Sequence, residues 1–403
     1  MGQKTVACLS SYYKGYDFMD ELNRLGYQVL LITSENIRDK PWPWHAITET
    51  FYMQEIMPSV WNLEHLVQGF AHLLRKHKID AVVALDDYDV EKAAMIRETF
   101  RIPGMGQTTH RYFRDKLAMR QMAKDKGIRV PQFTAVFNDA AVTEFAETVP
   151  APWVLKPRSE ASAAGIKKIQ DTAELLETIH ALGEERHLFL LESFKPGDVY
   201  HVDSLTFQGE VLFTSASQYL APPMQVSHEG GVFRTKTLSQ NSEEYTALEK
   251  INRAVIEKFG LKNGATHTEF IRGKADGEWY FLETAARVGG AHIPDLIEAA
   301  SSINIWREWA KIEDALLTDK SYKLPEASAK HAGLLISLIK DEKADRTPFT
   351  NDEVYKFLEI PYHIGIVYQS DDKGRIQDHL DNAAAMVTGG MLNVIPPRDK
   401  PTA

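Results

Sequence analysis

Residues 267–290 read HTEFIRGKADGEWYFLETAARVGG, and the pattern predicts a β-hairpin. Two runs that are rich in aromatic and β-branched residues flank Asp276-Gly277, a dipeptide typical of hairpin turns. Each run carries one glutamate, Glu269 on the first and Glu283 on the second. The stretch therefore predicts two neighbouring antiparallel strands that each present a carboxylate.

The register of this hairpin determines whether the two carboxylates meet. If Ala275 to Gly277 form a three-residue turn, Lys274 pairs with Glu278, and counting outward places Glu269 opposite Glu283. A two-residue turn would shift the register and separate the glutamates. In the first register the carboxylates repel each other unless a cation lies between them. Ligands that are all oxygen favour Mg²⁺ over zinc or copper.

The residues that follow the hairpin are suited to an anion. Arg287 offers two parallel donors to a phosphate or a carboxylate. Gly289 and Gly290 come just before a predicted helix, where backbone N–H groups lie open to an anion. The hairpin and its continuation together predict a site for a metal ion and a phosphate.

Two lysines upstream fit the same chemistry. Lys156 ends a predicted strand, residues 153–156, and precedes a loop of small residues at 159–165, an arrangement common at phosphate sites. Lys116 lies within a predicted helix, where a lysine is usually a solvated surface residue. A loop of small residues is also, by itself, usually only a loop. These residues therefore indicate a site only in combination.

Composition bounds the class of protein. The chain has 403 residues, 44% hydrophobic and 25% charged, which fits a globular protein of several domains. The net charge of −10 argues against general binding to nucleic acid or to an anionic membrane. Cys8 is the only cysteine, which excludes an intramolecular disulfide and a cysteine-based zinc site. We expect a cytoplasmic protein.

The first third of the chain predicts alternating strands and helices. Apolar strands at residues 5–9, 28–33 and 80–85 alternate with helical patterns, as in a parallel Rossmann-like sheet. No Gly-x-Gly-x-x-Gly follows the first strand, so a dinucleotide fingerprint is absent. Ser10 to Tyr13 and Asp86-Asp87 follow two of these strands, which places them at the carboxyl edge of the sheet, where substrates bind.

The remainder mixes helices with antiparallel strands. Residues 109–126 predict one helix and residues 243–259 another. Near the C-terminus, Thr350 and Glu353 indicate a capping box that opens a short helix. Residues 375–378 are expected to form the second strand of a hairpin.

In combination, these segments resemble the ATP-grasp superfamily, in its carboxylate–amine ligase branch. The resemblance runs from about Arg111 to Trp309, and the Rossmann-like front resembles the pre-ATP-grasp domain of that family. The motifs that carry the resemblance are, in chain order, Asp115-Lys116, Arg120, Gly127-Ile128, Val130-Pro131, Val154, Lys156-Pro157, Glu192 to Phe194, His267 to Phe270 and Leu282 to Gly290.

The resemblance implies a mixed α/β and α+β fold in four parts. Residues 1–107 would form the Rossmann-like pre-ATP-grasp domain. Residues 108–194 would form the lid subdomain of the ATP-grasp fold, and residues 195–327 its metal and substrate subdomain. Residues 328–403 would form a small α+β appendage.

The resemblance also implies roles for individual residues. Arg287 and Lys156 would be catalytic, and Glu269 and Glu283 would hold Mg²⁺ or Mn²⁺. The residues that would bind ATP are Lys116, Lys156, Ser159, Ser162, Glu192, Ser193, Phe194 and Asp198. The candidates for contact with the substrate are His201, Arg234, Gly289, Gly290 and His292, of which the histidines and the arginine are chosen because they lie near this site in sequence order.

The chain departs from the family pattern in three places. Glu160 and Ala161 stand where the phosphate loop usually has glycines. Ala285 replaces an asparagine that usually completes the set of metal ligands. Val199 stands where the family often has an acidic residue that binds ribose, and Asp198, one residue away, would take that role.

The implied reaction joins a carboxylate to an amine through an acyl-phosphate, with release of ADP and phosphate. Small-molecule acids and amines would be the partners, with no nucleic acid and no membrane, and a homodimer is compatible with the chain. Two alternatives stay open. One is a non-catalytic nucleotide-binding regulator of the same fold, and the other is a biotin-carboxylase-like ligase that acts on a one-carbon acid.

Overall fold

The computed structural model describes residues 3–57, 60–160, 165–223, 226 and 231–393. Within these residues, no helix is both long enough and apolar enough to cross a membrane. The described chain forms an N-terminal parallel sheet, a small antiparallel sheet and a long antiparallel sheet. Two further strands form a separate short hairpin.

The N-terminal sheet confirms the predicted Rossmann-like front. Four strands lie parallel in the order β3-β2-β1-β6, and β1 and β2 are almost continuously buried because helices cover both faces. A strand at 49–53, a short hairpin and a helix at 63–73 were not expected from the sequence. The elements are β1 (Thr5–Ser10), α1 (Tyr16–Arg24), β2 (Gln28–Ser34), β3 (Glu49–Met53), β4 (Glu55–Met57), β5 (Val60–Trp61), α2 (Leu63–Leu73), β6 (Ala81–Ala84), α3 (Val90–Phe100) and α4 (Gln107–His110).

The single helix predicted at 109–126 is interrupted in the structure. Helix α4 ends at His110, a 3-10 turn follows, and a new helix α5 (Lys116–Asp125) begins. The Asp115 carboxylate accepts hydrogen bonds from the N–H groups of Leu117 and Ala118, so it caps the new helix. Lys116 therefore sits at the first position of a helix instead of inside one.

The small antiparallel sheet lies between the N-terminal sheet and the long sheet in chain order. Its strands run in the order β7-β10-β8-β9, and two helices pack on it. Its apolar side chains form a cluster of their own, which includes Val142, Trp153, Leu175 and Leu191. The elements are β7 (Phe133–Ala135), α6 (Asp139–Thr148), β8 (Trp153–Pro157), β9 (Lys167–Ile169), α7 (Thr172–Ala181) and β10 (Phe189–Ser193).

The long sheet has eight strands in the order β15-β14-β11-β12-β13-β16-β18-β17, with helices on both faces. The helix predicted at 243–259 is present with those bounds. The elements are β11 (Gly197–Phe207), β12 (Glu210–Tyr219), β13 (Phe233–Thr237), α8 (Glu243–Phe259), β14 (Gly264–Gly273), β15 (Trp279–Ala285), α9 (Ile293–Ser301), α10 (Ile305–Thr318), β16 (His331–Leu338), β17 (Val354–Phe357), β18 (His363–Ser370) and α11 (Lys373–Met386).

The C-terminal region differs from the expected secondary structure at residues 375–378 and at Glu353. Residues 375–378 belong to helix α11, not to a strand, because Asp372 caps that helix through the N–H of Gly374. Glu353 does not open a helix: its carboxylate accepts from Ser370 Oγ at 2.7 Å and contacts His379 Nε2 at 2.6 Å. Strands β16, β17 and β18 extend the long sheet, so residues 328 onward do not form a sheet of their own.

Candidate active site

The turn of the β14–β15 hairpin is one residue longer than the sequence predicts. The N–H of Gly273 donates to the carbonyl of Glu278 at 2.8 Å, and the N–H of Gly277 donates to the carbonyl of Gly273 at 2.8 Å. The loop therefore holds residues 274–277, and the predicted pairing of Lys274 with Glu278 is wrong.

A β-bulge corrects the register before the glutamates are reached. Phe270 pairs with Phe281, but the next pair along the strands is Glu269 with Glu283, so Leu282 is an extra residue on β15. The predicted pairing of Glu269 with Glu283 is therefore confirmed, although the route to it was wrong. Without the bulge, Leu282 would lie opposite Glu269 and Glu283 would move to the other face of the sheet.

The bulge also has a specific partner in helix α5. Arg120, which is fully buried, donates to the carbonyl of Leu282 through one nitrogen and to Glu192 Oε2 through another at 2.9 Å. Arg120 thus links the extra residue of the hairpin to strand β10 of the small sheet. The sequence motif contained Arg120, but its spacing gave no sign of this role.

Glu283 is surrounded by cations. Lys116 Nζ lies 3.1 Å from Glu283 Oε2. Burial would raise the pKa of Glu283, but Lys116, Lys156 and Arg120 outweigh burial and lower it to about 2. The repulsion expected between two facing glutamates is therefore offset, in the protein alone, by lysines from helix α5 and strand β8.

Lys156 lies beside the same cluster. Its ammonium forms an ion pair with Glu192, which also binds Arg120, and all three side chains are buried. Burial lowers the pKa of Lys156 to about 8, although Glu192 opposes that shift. Burial acts to raise the pKa of Glu192, but Arg120 and Lys156 hold it below its ordinary value.

Lys116 also connects the cluster to the start of the small-residue loop. Its ammonium donates to the carbonyl of Glu160 at 2.6 Å. The Glu160 carboxylate in turn accepts from the hydroxyl of Tyr88, at the edge of the N-terminal sheet, at 2.8 Å. Ser159 is exposed, and Ser162 lies outside the described residues.

Glu269 is held by a buried polar network on the other side of the hairpin. The hydroxyl of Tyr219 donates to Glu269 Oε1 at 3.0 Å, and His267 Nε2 lies 3.7 Å from the same oxygen. Asp203 contacts His201 Nδ1 at 2.7 Å and His267 Nδ1 at 2.9 Å. Burial lowers the pKa of His267, but Asp203 outweighs burial and raises it to about 9.

Gly289 makes room for this network. A Cβ at this position would lie 2.8 Å from Asp203 Oδ1 and 3.1 Å from His267 Nδ1, so any larger residue would displace the pair. Gly290 has open space instead. The first glycine of the step is required by packing, and the second is free to face a ligand.

Arg287 faces the carboxyl edge of the N-terminal sheet. One of its terminal nitrogens lies 3.5 Å from Asp87 Oδ2, and another donates to the carbonyl of Val288 at 3.1 Å. Burial acts to lower the pKa of Arg287, but Asp87 and Asp86 raise it above its ordinary value. Arg287 Nε and Asp87 Oδ1 are both buried with no hydrogen-bond partner among the described residues, so the pair leaves unsatisfied groups in the cleft.

The segment expected to bind adenine, Glu192 to Phe194, already uses some of its polar groups within the protein. The N–H of Ser193 donates to the carbonyl of Gln132 at 2.8 Å, and the N–H of Phe194 donates to the carbonyl of Pro152 at 3.0 Å. These two N–H groups are therefore already used, and Glu192 uses its carboxylate for Arg120 and Lys156. Adenine contacts from this segment would have to come from carbonyl groups or from neighbouring residues.

Two residues expected in the site lie on the opposite face of the long sheet. Asp198 is exposed and pairs with Arg272, whose guanidinium contacts Glu244 of helix α8. Arg234 lies on strand β13 and donates to Asp381 of helix α11 at 2.6 Å. Because side chains alternate between faces along a strand, both point away from Glu269, and their assignment to the site is wrong.

The two histidines expected at the substrate have internal partners. His201 is fully buried, and its Nε2 contacts Thr235 Oγ1 at 2.9 Å while Nδ1 contacts Asp203. His292 Nδ1 contacts Asp295 Oδ2 at 2.8 Å, at the start of helix α9. His201 has no ring nitrogen left for a substrate, whereas His292 has one.

The residues present fit a hard divalent cation. Glu269 and Glu283 supply carboxylate oxygens from opposed positions on one face, as Mg²⁺ and Mn²⁺ require. Ala285 pairs with His267 and offers no ligand, so phosphate oxygens or water would complete the set. The nearest charged competitor for Glu283 is Lys116, which would have to turn toward phosphate when a metal ion binds.

The chain is similar to known ligases in sequence. Residues 149–295 match the family described as ATP-grasp domain. The chain is 28% identical over 258 residues to an L-arginine-specific L-amino acid ligase of Bacillus subtilis, covering 62% of each chain. It is 19% identical over 171 residues to a D-alanine–D-alanine ligase of Neisseria gonorrhoeae, covering 42% of this chain and 56% of that one. The chain thus spans less than two thirds of the length of these curated relatives.

Comparison with solved structures extends the similarity to the whole described fold. An L-amino acid ligase from Bacillus licheniformis superposes with a TM-score of 0.76 at 20% identity, covering 98% of this chain and 99% of that one. A biotin carboxylase from Campylobacter jejuni superposes with a TM-score of 0.71 at 15% identity, covering 97% and 92%. Residues 149–295 therefore match the ATP-grasp domain family, and the chain as a whole shares the fold of these two solved structures.

Proposed function

We propose that the protein is an ATP- and Mg²⁺-dependent ligase that joins a carboxylate to an amine and releases ADP and phosphate. The observation that carries the proposal is the convergence of opposed Glu269 and Glu283, on β14 and β15, with Lys116, Lys156 and Arg287. This set matches the charges of a nucleoside triphosphate and its metal ion. The ligases to which the chain is similar support the same reaction class.

The cationic residues have two tasks in the proposed reaction. Lys116 and Lys156 bind the phosphates of ATP, and a cation between Glu269 and Glu283 would neutralise phosphate charge. The substrate carboxylate attacks the γ-phosphorus, the bond from that phosphorus to the β,γ-bridging oxygen breaks, and ADP departs with the electron pair. Arg287 stabilises the acyl-phosphate that results. The amine then attacks the acyl carbon, phosphate leaves, and the amine loses a proton.

We further propose that the activated acid is an amino acid. Asp87 lies beside Arg287 and carries a buried oxygen with no partner among the described residues. An arginine and a carboxylate side by side are complementary to a carboxylate and an ammonium on one small molecule. The two relatives named as L-amino acid ligases support this substrate class. A cytoplasmic location and a homodimer remain predictions.

The proposal is tested by measuring ADP and phosphate release with pairs of acids and amines. The panel contains single L- and D-amino acids, pairs of amino acids, and bicarbonate or formate with an amine. ADP released in step with a dipeptide supports the proposal. Release only with bicarbonate or formate would favour the one-carbon alternative, and nucleotide binding without turnover on the full panel would favour a regulator. AMP as the stoichiometric product would contradict the acyl-phosphate mechanism.

A further inference from the structure

A cavity of about 690 Å³ lies between the N-terminal domain and residues 260–317. Strand β6 and helix α3 form one wall, and helix α10 with the start of β14 forms the other. The cavity reaches Ala286, which is next in the chain to Arg287, but it contains none of the residues assigned to ATP or metal.

Four charged residues line this cavity: Asp80, Arg97, Lys262 and Glu313. Glu313 lines the cavity, and its Oε1 accepts from Trp309 Nε1 at 3.0 Å. No described cation lies in ion-pair contact with this carboxylate. Burial raises the pKa of Glu313, although Arg97 opposes that shift. A buried carboxylate with one neutral donor is costly unless a cation reaches it.

Arg97 does not fill that role, because its guanidinium is held elsewhere. Its Nε and one terminal nitrogen donate to the carbonyl of Val82, at 3.0 and 2.6 Å, and the other terminal nitrogen donates to the carbonyl of Met105 at 3.2 Å. Both acceptors belong to the N-terminal domain. Arg97 therefore remains on its own side of the cavity, and the carboxylate of Glu313 faces the space between.

The walls and the ligand count point to an organic cation instead of a metal ion. Apolar side chains line part of the cavity, among them Val82, Leu261, Leu316 and Leu317. Among the described residues, the only group of three close metal-ligand side chains is His201, Asp203 and His267, which does not line this cavity. The other lining carboxylate, Asp80, accepts from the N–H of Thr5 and pairs with Lys78, and the side chain of Lys262 is exposed. The carboxylate of Glu313, beside aliphatic walls, therefore suits an ammonium group on a short alkyl chain.

We infer that this cavity is a binding site for a small primary alkylammonium compound, with Glu313 as the carboxylate that recognises the ammonium group. The site is separate from the proposed ATP and metal site. A ligand there contacts both domains at once, so its binding should raise the thermal stability of the protein.

The test compares n-butylammonium with 1-butanol, its neutral counterpart, by isothermal titration calorimetry in the presence of saturating ADP. Glu313→Gln keeps the shape of the side chain and an acceptor for Trp309 but removes the charge. Loss of a charge-assisted contact should weaken butylammonium binding about tenfold or more and leave butanol binding unchanged. Glu257→Gln, on an exposed position of α8, is the matched control and should bind as the unaltered protein does.

A second variant keeps the test decisive if Glu313→Gln does not fold. Leu316→Phe narrows the cavity, retains Glu313, and should weaken both probes. The inference is overturned if butylammonium binds the unaltered protein no better than butanol. It is also overturned if Glu313→Gln or Leu316→Phe leaves butylammonium affinity unchanged.

Discussion

In the ligand-free protein, the Glu283 carboxylate already lies among cations. This determines how Glu283→Gln should change the stability of the protein. Repulsion between Glu269 and Glu283 alone would make Glu283→Gln harmless or stabilising. Because Lys116 and Lys156 already stabilise the carboxylate, we expect Glu283→Gln to lower the free energy of unfolding of the ligand-free protein by about 1 to 3 kcal/mol. Urea denaturation measures this, and an unchanged or higher stability would contradict it.

Glu278, which directly precedes strand β15, provides the control. It forms an ion pair with Arg129, and both side chains are about half exposed, so the pair contributes little. Glu278→Gln should leave both stability and activity nearly unchanged.

With Mg-ATP present, Glu283→Gln should also lose most of the thermal stabilisation that the nucleotide provides, since the cation loses a ligand.

The stabilisation from Glu283 should depend on pH in a defined direction. Its pKa falls from an ordinary 4.5 to about 2 in the folded protein, so the charged form is favoured by folding. The stability difference between the unaltered protein and Glu283→Gln should be fully present above pH 4.5 and should disappear as the pH falls toward 2. Denaturant titrations of both proteins at several acidic pH values measure this difference in the free energy of unfolding. A difference that does not change with pH would contradict the prediction.

Lys156 should make ATP binding sensitive to alkaline pH. Its pKa is lowered to about 8, and phosphate binding requires the ammonium form. Above that pH, ATP binding must therefore be accompanied by protonation of Lys156. The affinity for a non-hydrolysable ATP analogue should therefore fall as the pH rises above 8. Lys156→Met should weaken binding about tenfold or more at pH 7 and should remove most of this alkaline dependence. Identical pH profiles for both proteins would contradict the proposal that Lys156 binds the phosphates of ATP.

The small antiparallel sheet has an apolar core of its own. Its apolar cluster, with Trp153 and Leu191, is separate from the cluster that contains Met119 and Ala123 of helix α5. We therefore propose that the lid begins near β7, after α5, and not at residue 108. Closure over ATP would then bring the loop after Lys156 toward the phosphates.

One hydrogen bond between elements should restrain the start of that loop. The hydroxyl of Tyr88 donates to Glu160 across the cleft, and Lys116 holds the Glu160 carbonyl. Tyr88→Phe should make amide hydrogen exchange at residues 158–160 several-fold faster without nucleotide, because a bond worth about 1 kcal/mol is lost. Added ATP should restore protection. Exchange that is the same in both proteins would show that this bond does not restrain the loop.

Across the whole molecule, the long sheet joins the C-terminal strands to those that carry Glu269 and Glu283. Strand β16 pairs with β13, and Leu334 and Val367 pack against Leu296 of helix α9. A chain that ends at residue 327 would expose that apolar surface and leave β13 as an open edge. We expect it to aggregate or unfold, whereas a chain that ends at Asn393 keeps every described strand and should remain monodisperse by size-exclusion chromatography.

The sequence alone determined most of the elements and the residue types of the site. Apolar periodicity gave the parallel front strands and helix α8, because burial on a given face leaves a repeating pattern along the chain. The pairing of Glu269 with Glu283 was also predicted from local turn counting. It held because the bulge at Leu282 cancelled the error of one residue in the turn, and a bulge leaves no pattern in a single sequence.

Only the tertiary structure decided which residues meet. Asp198 was placed from the family pattern and Arg234 by its nearness to the site in sequence, but the alternation of strand faces turns both toward the helices behind the sheet. Arg120 and Tyr88 act through partners 162 and 72 residues away, Leu282 and Glu160, and no local pattern encodes such distances. Local propensity and periodicity are written into neighbouring residues. Contacts between elements depend on how the whole chain packs, which a single sequence does not display.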